Sequence, residues 1–205
     1  KLPELPTACS NIKKWMESQL NDSLKRLRLN SIDGFLLHRP LQLLEPGNEN
    51  LWATLLKFKT QGLVKKIGYS IYGPNELEQL WSQFKPDIVQ APYNIFDRRM
   101  ATSGWFKRLK DEGIEIHGRS TFLQGLLLLD KHKRPNKFEK WSDHWQLWDR
   151  WLEQNRITPL QAALAFSLAE DKVNKVIVGI DHCVQLKEII NATDTAIKDF
   201  PEELS

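Results

Sequence analysis

Apolar and polar positions along this chain switch between two periods. Short runs rich in Val, Ile, Leu and Phe recur at residues 32–37, 64–69, 87–90, 114–117 and 175–178, the length and make-up of strands buried on both faces. Between them apolar residues fall three and four apart, as on one side of a helix. Residues 10–27 set Ile12, Trp15, Met16, Leu20, Leu24 and Leu27 on one such face, and residues 51–59 do the same with Leu51, Leu55 and Phe58. Gly73 and Pro74 open a helix through Leu77 and Leu80, residues 98–110 predict another, and Thr158 with Pro159 starts one over 160–169, by side-chain capping and a proline in the first turn.

Strand and helix in strict alternation predict an α/β fold with a parallel sheet and helical crossovers. Five strands are too few to close an eight-stranded barrel. A doubly wound fold would be complete at this length, but it usually carries a glycine-rich phosphate loop after its first strand, and neither GxGxxG nor GxxxxGK[ST] occurs. The pattern therefore predicts the last five βα units of a (β/α)8 TIM barrel, as a single domain over 1–205 that lacks roughly its first three strands.

Residues 126–155 break the rhythm with a basic stretch in which Trp141, Trp145, Trp148 and Trp151 are spaced by four, three and three. Core stripes follow this period, whereas single-strand nucleic-acid binders also need a basic groove, so the segment reads as a loop insertion ending in one helix with an aromatic packing face. Loops in this position of a barrel often cover the substrate.

An apolar fraction of 41% is enough for a core, and a net charge of +3, with its basic residues scattered, gives little support for nucleic-acid binding. Cys9 and Cys183 are far apart in a pattern without metal spacing; they suit a reducing compartment and read as packing residues, with no metal site. No apolar run approaches the roughly 18 residues of a membrane span and no signal-peptide core opens the chain, so the expected location is the cytoplasm, away from membranes. The opening KLPELP has no initiator methionine, and the strand pattern starts mid-fold, so truncation is expected at the N-terminus. An open fragment of a barrel exposes sheet edges, which makes an oligomer an expectation as well.

The first strand closes as IDGFLLHRP. A strand buried on both faces cannot carry an imidazole mid-run without a partner, so His38 at its end marks an active-site rim.

SLKRLRLNSIDGFLLHRP resembles the stretch of aldo-keto reductases in which a helix with a leucine-rich basic turn leads into a strand closing on histidine, a variable residue and proline. GLVKKIGYS is similar to their next unit, and VIVGIDHCVQLKEII to their last strand and helix; the order of these motifs spans nearly the whole chain. QAPYNIFDRR followed by HGRSTFLQGLL resembles a bacterial branch linked to surface-polysaccharide synthesis.

The resemblance implies an NADP- or NAD-dependent oxidoreductase that moves a hydride between the cofactor and a carbonyl or hydroxyl compound, such as a sugar derivative. In that family a tyrosine gives the proton, a lysine backed by an aspartate lowers its pKa, and a histidine orients the carbonyl. His38 matches the histidine and Lys1, before Leu2 and Pro3, the lysine. The tyrosine and aspartate belong upstream of these residues, and Tyr69, Tyr72 and Tyr93 match neither, so the 205 residues alone are expected to be inactive. The alternative is a barrel without catalysis that serves as a nucleotide-sensing or structural module.

For the cofactor, Ser70 and Gln90 match the residues that hold the nicotinamide carboxamide, although Ile71 replaces the usual asparagine. Arg119 stands where the family stacks an aromatic ring on the nicotinamide, with Ser120 after it; its charge, with that of Arg39, suits an anionic substrate. Gly179 and Gln185 occupy the places of the lysine and arginine that grip the adenosine 2'-phosphate, with Asp181 between them. Two lost cations and one gained anion favour NAD over NADP. Backbone N–H groups near His182 and Cys183 remain as phosphate donors.

Overall fold

A computed structural model describes residues 1–7, 9–195, 197 and 199–204. The chain divides into two compact units, Lys1–Ala91 with Lys107–Ile116, and Pro92–Phe106 with His117–Ser205.

In the first unit α1 (Ile12–Leu27) starts where Asn11 Oδ1 accepts from the Lys14 N–H at 2.9 Å and stops at Arg28, whose left-handed backbone (φ 56°) turns the chain. Lys25 and Arg26 sit in its last turn, where cations meet the negative end of the helix dipole. β1 (Ile32–Leu37), α2 (Asn50–Thr60), β2 (Val64–Ser70) and α3 (Pro74–Leu80) follow, then β3 (Ile88–Pro92). Neighbouring strands are parallel: Phe35 pairs with Ile67, Leu37 with Tyr69, and Ser70 with Gln90. β4 (Glu115–Arg119) begins here, its Glu115 N–H donating to Asp87 O at 2.9 Å. Met16, Leu20, Leu55, Phe58, Ile67 and Leu77 form the core, each about fully buried.

The face of α1 is narrower than its apolar spacing predicts. Ile12, Met16 and Leu20 are buried, but Leu27, at the last turn where the chain swings away, is 59% exposed. Residues 98–110 form two helices in place of one, α4 (Arg99–Thr102) and α5 (Trp105–Asp111), because Gly104 takes φ +80° between them.

In the second unit β4 ends beside β5 (Lys175–Val176), with His117 paired to Lys175 and Gly118 to Val176, again parallel. Between them lie three short 3₁₀ turns, α6 (Ser142–Asn155) and α7 (Pro159–Ala169); α8 (Cys183–Ala192) follows β5. Thr158 caps α7 through a capping box with Gln161. The tryptophan stripe is confirmed for Trp145, Trp148 and Trp151, which α6 buries against Phe96 and Phe200. Trp141 precedes the first turn of α6 and remains 42% exposed. Cys183, at the start of α8, is exposed and so is no packing residue. Among the described residues no helix is long and apolar enough to cross a membrane, and no group of His, Cys, Asp and Glu is placed to hold a metal ion.

Candidate active site

Three strand ends and the chain's opening residues assemble the candidate groups of the first unit. Leu2 bridges in parallel to Leu37; its N–H donates to Leu36 O at 2.8 Å and its carbonyl accepts from the His38 N–H at 3.0 Å. Lys1 is thereby carried alongside the C-terminal end of β1 like the residue closing a neighbouring strand, and its Nζ donates to Ser70 Oγ at 3.2 Å. His38 comes one step after the Leu37–Tyr69 pair and Ser70 one step after the same pair, so His38, Ser70 and Gln90 form a row just past the end of β1, at the end of β2 and in the middle of β3, which runs two residues beyond the end expected at Gln90. Paired residues of parallel strands point to one face of the sheet.

Burial grades along this row. His38 is exposed, Ser70 is buried, and Gln90 is 7% exposed. The Gln90 carbonyl accepts from the Ile71 N–H at 2.9 Å, while no hydrogen bond to its side-chain amide occurs among the described residues. The amide is not sealed from solvent, so it stays available to a ligand. The Gln90 amide offers N–H donors and a carbonyl acceptor, and the Ser70 hydroxyl beside it offers a further donor, which together complement a carboxamide. The charge of Arg39, at the rim, is met by Glu4 at 3.5 Å, both residues being well exposed.

Two of the three tyrosines of the chain are occupied elsewhere, and the third stands beside Arg39 at the rim. The Tyr69 hydroxyl donates to Phe84 O at 3.2 Å, and burial pushes its pKa well above the ordinary phenol range. Tyr93, in the second unit, packs on Phe106 and Phe166; burial, aided by Glu170, pushes it up to about 12. Tyr72 is about half exposed, with the Arg39 guanidinium 6.0 Å from its ring.

The remaining sequence-derived residues lie in the second unit. Arg119 closes β4, its carbonyl accepting from the Tyr93 N–H at 2.9 Å and its Nη1 donating to Ser120 Oγ at 3.0 Å. Ser120 has φ 61°, and its carbonyl accepts from Asn94 Nδ2 at 3.1 Å, a buried positioning residue that the sequence pattern did not single out. Leu123, Gln124 and Gly125 then take φ 48°, 56° and 86° in succession. Left-handed backbone costs a non-glycine residue about 1–2 kcal/mol, and only Gly125 signalled it in advance. Gly179, Asp181 and Gln185 are exposed around the start of α8. Gln185 Oε1 accepts from the N–H groups of Asp181 and His182 at 2.8 and 3.3 Å, so one of the two phosphate donors expected at His182 and Cys183 is already used.

Comparison with known proteins matches residues 6–200 to the model of the Aldo/keto reductase family. Curated relatives include the L-glyceraldehyde 3-phosphate reductase of Escherichia coli, 25% identical over 91% of this chain and 60% of its own length. The NADH-specific methylglyoxal reductase of Escherichia coli is 25% identical over 86% of the chain and 59% of its length. The chain thus spans about 60% of these relatives. Among solved structures, the apo form of an aldo-keto reductase from Bacillus halodurans superimposes with a TM-score of 0.72 at 22% identity, covering 95% of this chain and 66% of that one. That likeness shows the fold, an α/β arrangement consistent with part of a (β/α)8 barrel.

Proposed function

Because the chain belongs to the aldo/keto reductase family, we propose that the protein transfers a hydride between a nicotinamide cofactor and the carbonyl of a small molecule, with Lys1, His38, Ser70 and Gln90 at the reacting end. When bound, the cofactor supplies the hydride. The amide of Gln90, which makes no hydrogen bond among the described residues, carries this reading beside the Ser70 hydroxyl, because the pair is chemically matched to a carboxamide. Lys1 donates to Ser70 Oγ, which leaves the serine O–H to donate outward. His38, exposed at the rim of the same row, orients a carbonyl oxygen and stabilises the charge that builds on it. The proton donor lies outside this set: Tyr69 and Tyr93 are buried with raised pKa values, which suits packing and not proton transfer.

The finer reading is NAD in preference to NADP. Gly179 and Gln185 supply no cation, Asp181 adds an anion, and the Gln185 amide oxygen is committed to backbone N–H groups. The cationic side chain of Arg119 and the phosphorylated aldehyde in the name of the first relative both support an anionic carbonyl substrate.

Gln90→Leu tests the site. The variant should bind NADH about tenfold more weakly by fluorescence titration while keeping its thermal midpoint, since an amide that the fold itself does not use is replaced by an apolar group of similar size. Unchanged NADH affinity, or a large fall in thermal midpoint, would make Gln90 a structural residue and remove the main support.

A further inference from the structure

A second concavity lies wholly within the second unit. It has a volume of about 810 Å³ and uses neither the His38 row nor the start of α8. One wall is the loop after β4, including the left-handed Leu123 and Gln124; another is the 3₁₀ turn before α6, with Lys137, Phe138 and Trp141. This size is in the range that encloses most of a small organic ligand, roughly 300–1,000 Å³.

The lining is mainly aliphatic and aromatic, so burial of an apolar body would drive binding. Trp141 belongs to the stripe whose other members are buried, yet it stands open beside Phe138 with ring centroids 5.9 Å apart and planes 34° apart. The charges resolve to a single unmet cation. Asp97 and Arg99 both line the cavity and hold each other through two contacts of 2.8 Å. Among the described residues no carboxylate lies within ion-pair distance of Lys137, whose Nζ sits 5.1 Å from the Phe138 ring centre. A second lysine, Lys140, lies 4.1 Å over the Trp141 ring just outside the lining.

We infer that this cavity binds an amphipathic anion: an apolar body of naphthyl or geranyl size against Phe138, Trp141 and Leu126, with one carboxylate or phosphate head on Lys137. A neutral ligand would leave the Lys137 charge unused, and a strongly polar one would lose its hydration against leucine and phenylalanine walls. Leu123 and Gln124 hold costly backbone angles where they form that wall, as strained residues do at ligand sites.

The inference does not depend on nicotinamide binding, and its test omits the cofactor. Naphthoate and geranyl phosphate are titrated against the protein by calorimetry, beside the neutral naphthalenemethanol and geraniol. At least one anion should bind about tenfold tighter than its neutral counterpart. Binding of naphthoate alone assigns the head group as carboxylate, and binding of geranyl phosphate alone assigns it as phosphate. Lys137→Gln, at an exposed position, should erase the charge preference without weakening the neutral ligand, and Phe138→Ala should weaken both. No binding of either anion by about 1 mM, equal binding of charged and neutral forms, or a charge preference that survives Lys137→Gln would overturn it.

Discussion

At the scale of single residues, burial sets what each titratable group can do. Tyr93 keeps its proton because its ring is packed between Phe106 and Phe166 and faces the Glu170 carboxylate, which raises its pKa from 10.0 to about 12. The unfolded chain releases this proton near the ordinary value and the folded chain does not. The contribution to stability is therefore complete below pH 10.0 and is lost as the pH climbs to about 12. Urea midpoints taken at about pH 9 and about pH 11 should fall less for Tyr93→Phe than for the unmodified protein, with Tyr69 common to both. An equal fall in the two proteins would mean that Tyr93 ionises as readily folded as unfolded. Gln90 is the opposite case, a buried polar group with no internal partner. Its amide, still open to solvent and unused by the fold, is the reason to read it as part of a binding site.

Between elements, β2 and β3 approach closely at a glycine. A Cβ placed on Gly68 would lie 1.8 Å from the Ile88 carbonyl oxygen and 2.8 Å from its carbon, backbone atoms that cannot move without breaking the ladder. On Gly34 of β1 it would meet only the tip of the Ile88 side chain, at 2.7 Å. Gly68→Ala should then cost more than about 3 kcal/mol in urea unfolding or prevent folding, against less than about 1.5 kcal/mol for Gly34→Ala. Equal costs would show that the strand spacing adjusts.

The strands that form this ladder were legible in the sequence because continuous apolar runs have clear ends. β1 matches its expected bounds, and β2 extends one residue further, to Ser70. The break between α4 and α5 was not legible, since apolar spacing continues across a single left-handed glycine at 104. The tryptophan period marked α6 but not its start, so Trp141 was assigned to a face that it precedes. Of the candidate site, His38 could be read because it follows an apolar run, whereas Ser70 and Gln90 came from the family resemblance alone. The left-handed turn at Leu123 and Gln124 could not, because leucine and glutamine carry no signal for positive φ.

At the scale of the whole molecule, two units each carry parallel strands with helical connections, and the family match runs across both, from residue 6 to residue 200. The candidate groups divide along the same lines, with Lys1, His38, Ser70 and Gln90 in the first unit and Arg119, Ser120, Gly179, Asp181 and Gln185 in the second. In the proposed reading the first set serves a carboxamide and the second a dinucleotide without a 2'-phosphate. Eight tryptophans give the protein an internal reporter. The central claim is nicotinamide binding, and the most direct measurement is a titration with NADH and with NADPH that follows tryptophan fluorescence. Saturable quenching by NADH, with weaker quenching by NADPH, is the predicted result; no saturable change with either nucleotide would contradict it.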